Sequence, residues 1–400
     1  MLRSKHPFPL PTSDSLFYFL EKAWNEGWFD EYSNEHFLIQ AIEKRLIRFV
    51  GMQQHINNTA GFSLFTDGNM IVNPQQFCFN FCMNFSAKMQ IFLQKFGEKQ
   101  TKSFICNQMS AGKSRYDEDS FFEALSEVSI LLFYLSRTNW TQVLYEPPVS
   151  QNGSAKNPEA SFIGKLCCSK NSKDVQIEKV KINIEVKSPR FPHDNHEQEQ
   201  LTIPTILLTQ EGRVAIKELC CSHNFKYLDP RVQKLKDYLN SAAEKFCFPG
   251  TNELNLLYIN WSYRDFPSDS FLEAWSLLTN PINGVLTHPD IARKLGIVND
   301  VFKKITAVVV YTQPLDAIVF SDFRYIWTRG NAGPKFRMWV LNEEIKNTPN
   351  LLFRITGMNP SPELLQYAMV SGSNLTEGSE VKRSMYIKHL SSLIEQHSLV

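Results

Sequence analysis

Apolar and polar positions between residues 117 and 262 divide the chain into six elements. DEDSFFEALSEVSILLFYLSR sets Phe121, Leu125, Val128, Leu132 and Leu135 on one side at a 3.6-residue period. With acids in its first turn, this spacing predicts a helix over 117–137. QVLYEPPV reads as a short strand stopped by two prolines, and EASFIGKLCC as a second strand. VQIEKVKINIEVK is a long alternating third strand, ended at Ser188-Pro189. DPRVQKLKDYLNSAAEKF is an amphipathic helix with Asp229 as its cap and Pro230 at its first position. NELNLLYINWS is an apolar strand. The order is helix, three strands, helix, strand.

The flanks are less regular. SLFYFLEKAW and HFLIQAIEKRLIRFV carry helical spacing, and the Phe-rich PQQFCFNFCMNFSAKMQIFLQKF reads as a helical or mixed stretch. The aromatic stripe of the last is read as core packing, since Phe is habitually buried. LTIPTILLTQ and VAIKELCCSH are short elements inside the central stretch. Beyond it lie a helix around DSFLEAWSLL, strands at ITAVVVY and DAIVFSDF, and a mixed tail. The expected organisation is a mostly helical region over 1–115, a core over 116–265 and an α/β extension over 266–400.

Composition narrows the class. With 400 residues, 43% hydrophobic and 21% charged, the chain has the make-up of a soluble globular protein. A formal net charge of +1 gives no whole-chain attraction to a polyanion, so any nucleic-acid surface has to be local. One such excess exists: Lys165 to Arg190 holds seven Lys or Arg against three acids. Eight cysteines match no small disulfide framework, and the N-terminus has no apolar signal core. The longest apolar stretch, Ile130 to Leu135, is too short to cross a bilayer. The expectation is a cytoplasmic protein with reduced thiols and no membrane partner.

The chemistry sits on the third strand. In Lys181-Ile182-Asn183-Ile184-Glu185-Val186-Lys187, alternation sends Ile182, Ile184 and Val186 to one face. Asn183, Glu185 and Lys187 share the other. A carboxylate beside a lysine suits metal-assisted hydrolysis. Hard cations such as Mg2+ take carboxylate oxygens, and a cation lowers the pKa of a bound water. A nearby lysine orients that water or offsets developing charge. A second carboxylate must come from a neighbouring strand, and Glu159, after Pro158, is placed for it. Glu123 and Glu127 share one side of the preceding helix. Glu127 lies nearer the rim of the apolar face and is the preferred third acid.

Pro158-Glu159 and Glu185-Val186-Lys187, in that order of elements, resemble the PD-(D/E)xK nuclease superfamily over about 116–262. The resemblance implies an α/β, restriction-endonuclease-like core with a central mixed sheet flanked by helices. It implies that Glu159 and Glu185 bind Mg2+ or Mn2+, with Glu127 assisting and the Val186 carbonyl as an extra ligand. Lys187 is then the catalytic lysine, and Gln233, Lys234 or Lys236 of the later helix approach the substrate. The family's second-strand acid is usually aspartate, and here it is Glu159. Glu380-Val381-Lys382 repeats the motif without a strand around it.

Other signals are weaker. Gly112-Lys113-Ser114 ends like a phosphate loop, but Asn107 stands where that loop needs glycine. Cys220-Cys221-Ser222-His223 has no second matching pair for zinc. His193 and His196 lie in a polar loop. The expected function is a metal-dependent nuclease, an endonuclease or exonuclease, acting on nucleic acid, DNA ahead of RNA. The alternative is an inactive nuclease fold kept as a nucleic-acid- or protein-binding scaffold. A dimer is compatible with either.

Overall fold

The strand alternation at 181–187 builds the middle of a mixed α/β structure. The computed structural model describes residues 17–43, 64–66, 69–71, 74–112, 115–135, 140–147, 157–168, 176–189, 214, 218, 231–261, 267–280, 284–311 and 336–342. Helix α1 is Tyr18–Asn25, and residues 37–43 are helical too. A small antiparallel ladder, β1 (Leu64–Thr66) with β2 (Asn69–Ile71), precedes the long α2, Pro74–Phe96. Then come α3 (Glu98–Ser103), a π-helical turn at Phe104–Met109 and α4 (Glu118–Leu135). Strands β3 (Trp140–Tyr145), β4 (Ala160–Cys168) and β5 (Gln176–Lys187) follow. Next are α5 (Arg231–Lys245), β6 (Glu253–Asn260) and α6 (Pro267–Thr279). The last elements are α7 (Pro289–Lys294), α8 (Asp300–Lys304), β7 (Ala307–Tyr311) and β8 (Phe336–Val340).

Six strands form one sheet in the order β3-β4-β5-β6-β7-β8. β4 is antiparallel to both β3 and β5, whereas β5 and β6 run parallel. A parallel pair cannot be closed by a tight turn. The chain accordingly leaves β5 at Lys187 and returns only at Glu253. In β6 every residue from Leu254 to Asn260 is buried, as expected of an interior strand covered on both faces.

By contact the chain groups into two units, Met1–Arg190 with Gly250–Phe271 and Val310–Phe336, and Phe191–Pro249 with Leu272–Val309 and Arg337–Val400. In the first, the apolar stripe of α4 is buried along its whole length, from Phe121 through Leu125, Val128 and Leu132 to Leu135. Each such side chain contributes about 1.5–3 kcal/mol on leaving water. Tyr134 of α4 packs on Phe162 of β4, with ring centroids 5.4 Å apart, and its hydroxyl lies 2.5 Å from that of Tyr258 on β6. Asn260 Nδ2 donates to Ser126 Oγ at 2.7 Å, so the polar groups between helix and sheet are joined. The phenylalanines of α2 from Phe81 onward are core, as their spacing predicts. Phe81, Phe85 and Phe92 are buried, and Phe92 stacks on Phe104 of the π-helical turn at 5.2 Å. His36 is also structural: it sits among Tyr32, Tyr116 and Phe121, with Nε2 on the Met109 carbonyl and Nδ1 accepting from Leu38 N–H.

The second unit is built on α5, which buries Val232, Leu235, Leu239, Ala242 and Ala243. Lys304 of α8 caps the far end of α5 by donating to the Ala243 carbonyl at 3.1 Å. Asn240 of α5 bonds the Gly296 carbonyl and the Val298 N–H. No helix of the described residues is long and apolar enough to cross a membrane.

Several expectations fall outside the described residues: the cap at Asp229 and Pro230, the strand at DAIVFSDF, His193, His196, Cys220 to His223, and Glu380 to Lys382. The small β1–β2 ladder, the π-helical turn, the short helices α3, α7 and α8 and the strand β8 within the tail were not expected from the sequence.

Candidate carboxylate site

Backbone register brings the first two acids together. β4 and β5 pair Ala160 with Ile184 and Ser161 with Asn183. The ladder ends at the first of these pairs, with Glu159 just before Ala160 and Glu185 just after Ile184. Glu185 is fully buried, and Glu159 is 9% exposed. Lys187, two residues on and therefore on the same face, places Nζ 2.6 Å from Glu185 Oε1. Val186 between them turns to the apolar face, is buried, and pairs with Tyr258 of β6.

Glu127 of α4 is the third acid, 7% exposed. Its carboxyl holds its proton far above the ordinary value of 4.5. Burial is the largest cause, and the negative charge of Glu159 is next. A hydrogen bond from Tyr145 opposes the rise, while Glu185 and Glu146 add to it. Glu127 therefore lies within electrostatic reach of both Glu159 and Glu185. Glu123, the other acid on that side of α4, is half-buried.

The end of β3 supplies two groups that sequence reasoning missed. Tyr145 Oη donates to Glu127 Oε1 at 3.0 Å. Its ring is wedged among Phe92, Phe96 and Phe104, at 5.5, 5.4 and 6.0 Å. The phenol is held protonated by burial and by the charges of Glu127, Glu159 and Glu146. Glu146 takes the left-handed backbone region, φ 42°. Its N–H donates to the Glu159 carbonyl at 2.9 Å, and Gln108 Nε2 donates to its Oε1 at 2.9 Å. No local pattern links Tyr145 to Glu127, 18 positions away. No local signal announced the left-handed turn, since a proline after Glu146 favours extended backbone.

A buried polar track continues from the acids along the same face of the sheet. Ser161 Oγ bonds Asn183 Oδ1. Asn183 Nδ2 donates to Asn255 Oδ1 at 2.7 Å and to Glu253 Oε1 at 2.8 Å. Lys181 Nζ donates to the same Glu253 oxygen at 2.6 Å. Burial works to raise the Glu253 carboxyl, but the bonds from Lys181 and Asn183 outweigh it and hold the group below its ordinary value. Asn183 was legible as a neighbour of Glu185; Asn255, inside a strand that reads as apolar, was not.

The remaining expected residues, Gln233, Lys234 and Lys236, lie on α5 in the second unit. Gln233 is buried, Lys234 is exposed, and Lys236 is half-buried with Asp237 3.4 Å away.

Three buried carboxylates form a donor set of the chemical type that hard divalent cations take. Burial first, and then the charges of Glu159 and Glu185, raise Glu127, and a cation would offset both. Charge acts over a longer range than ligation does. Among the described residues no three His, Cys, Asp or Glu side chains are close enough to share an ion as they stand. No protein-family model, curated protein or solved structure matches this chain.

Proposed function

We propose that this chain is a metal-dependent nuclease of the PD-(D/E)xK type, hydrolysing phosphodiester bonds of nucleic acid, DNA ahead of RNA. One observation carries the reading: Lys187 Nζ sits 2.6 Å from the fully buried Glu185, with Glu159 buried just ahead of β4 and Glu127 buried on α4. The order α4, β3, β4, β5, α5, β6, with β6 parallel to β5, supports a restriction-endonuclease-like core.

In this reading Glu127, Glu159 and Glu185 hold Mg2+ or Mn2+. Such an ion, if held there, would supply a water of lowered pKa and would offset phosphate charge. Lys187, released from Glu185, orients the attacking water or stabilises negative charge at the phosphate. Glu159 in place of aspartate adds one methylene of reach. Gln233, Lys234 and Lys236 remain candidates for substrate contact.

A second reading is a scaffold that keeps this fold without the reaction. It is favoured by the absence, among the described residues, of a group in ligating positions. Titration calorimetry with Mg2+ and Mn2+, on wild type and Glu185→Ala, separates the two. Single- and double-stranded DNA and RNA are then offered to both proteins. Cation binding and cleavage that vanish together in the variant support the nuclease. A wild type that neither binds the cation nor cuts any substrate sinks it in favour of the scaffold.

A further inference from the structure

The outer part of the β4–β5 ladder carries two charges that the carboxylate site does not use. Lys165 of β4 and Lys179 of β5 are directly opposed, so their side chains leave the same face of the sheet. Both are exposed, and among the described residues neither ammonium has an ion-pair or hydrogen-bond partner. Like charges directly opposed on an antiparallel pair destabilise it. A polyanion laid across them removes that repulsion. We propose that Lys165 and Lys179 anchor the phosphate backbone of a nucleic acid, gripping it at a distance from the acids; the choice of nucleic acid among polyanions rests on the nuclease reading above.

The surroundings suit phosphate oxygens. On the same face Ile163 pairs with Lys181, and Gln142 of β3 pairs with Ile163. Gln142 is exposed and Ile163 half-buried. Lys181 already holds Glu253 at 2.6 Å, so the charge left for a polyanion is that of Lys165 and Lys179. Gln142 adds an amide donor without adding repulsion. Further along β5 the face closes, since Asn183 and Glu185 are buried. A bound backbone therefore crosses the corner formed by β3, β4 and β5 and does not follow β5 along its length. Six positions separate Lys179 from Glu185, about 20 Å of strand. That interval equals about six base pairs of duplex at roughly 3.4 Å each, less than one helical turn. Neither lysine touches the reacting atoms; both set affinity.

The test is binding, by fluorescence anisotropy across a salt series, of a labelled DNA duplex two helical turns long and an RNA strand of equal length. EDTA keeps the measurement independent of any cation. The full chain is compared with Lys165→Gln/Lys179→Gln and with Lys95→Gln/Lys99→Gln, a control that removes two exposed lysines from α2 and α3 of the same unit. On whichever probe wild type binds, the first variant should lose roughly tenfold or more in affinity at moderate salt. The slope of log K against log salt should flatten by roughly one per lysine. Its melting temperature should be no lower than that of wild type, because a repulsion has gone. Cleavage, measured separately with Mg2+, should rise in KM at unchanged kcat. Wild-type affinity in the variant, or an equal loss in the control, overturns the anchor and leaves the nuclease reading standing. A melting temperature that falls with the affinity makes the lysines structural and overturns it too. Loss of binding to phosphatidylserine vesicles but not to nucleic acid would assign the corner to a membrane surface, against the proposal. A wild type that binds through the two lysines yet cuts nothing supports the anchor and sinks the nuclease reading. One that binds neither probe overturns both.

Discussion

Lys187 reaches back two positions along β5 and holds Glu185, Nζ to Oε1, at 2.6 Å. The carboxylate is fully buried, whereas the lysine is one-fifth exposed. Removing the lysine leaves a buried negative charge without its counter-ion, which is costlier than losing a surface pair. Lys187→Met should therefore destabilise the fold by roughly 2–3 kcal/mol at pH 7, less than a fully buried pair would because water screens the lysine. Adding Glu185→Gln should restore most of that loss. Urea unfolding of the two single variants and the double variant closes the cycle, and additive losses would show that the pair is not coupled.

Glu127 ties stability to pH. Below the ordinary carboxylate value of 4.5 it is protonated both folded and unfolded, and its raised proton affinity has no effect. As pH rises past that value, the unfolded chain releases the proton while the folded chain keeps it. Stability then falls, until Glu127 ionises in the folded state as well. Glu127→Gln keeps an acceptor for Tyr145 and has no charge to bury. It should melt several degrees above wild type at pH 7 without added cation, and level with it at pH 3. Equal melting temperatures at both pH values would contradict the burial of this acid beside Glu159.

The hydroxyls of Tyr134 and Tyr258 meet between α4 and β6 at 2.5 Å, in the core of the first unit. Either Tyr→Phe change removes one member of a buried pair and should cost about 1–2 kcal/mol. The double change should cost clearly less than the sum, because it removes both members of the pair together. Chemical denaturation of all three proteins measures the difference.

Gly112 sits at φ +94°, and a Cβ there would meet the Arg115 carbonyl oxygen at 2.5 Å. Backbone and side chain are thus both against any other residue. Gly112→Ala should lose about 2 kcal/mol in urea unfolding. A neutral result would mean that the turn leading into α4 is built otherwise.

Much of the scaffold was readable because its signals are local. The stripe Phe121, Leu125, Val128, Leu132 and Leu135 announced α4, and it is buried as its period requires. Ile182, Ile184 and Val186 against Asn183, Glu185 and Lys187 announced a two-faced strand. Lys187 lies beside Glu185 because period-two alternation alone makes them neighbours. The helices at 18–25, 74–96 and 231–245 followed from the same kind of pattern.

What alternation could not supply was register. A slip of one residue between β4 and β5 would carry Glu159 to the opposite face from Glu185, with nothing in either strand's own pattern changed. The pairing of Ala160 with Ile184 decides the matter, and it depends on how whole faces bury against α4. Tyr145, Glu146 and Asn255 escaped notice for the same reason. Each gains its partner across the fold, Tyr145 from Glu127, Glu146 from Gln108 and Glu159, and Asn255 from Asn183. The sequence by itself determined which residues can share a face, since that is a property of consecutive torsions. Only the tertiary structure decided which faces meet, since that depends on burying apolar area between segments far apart in the chain.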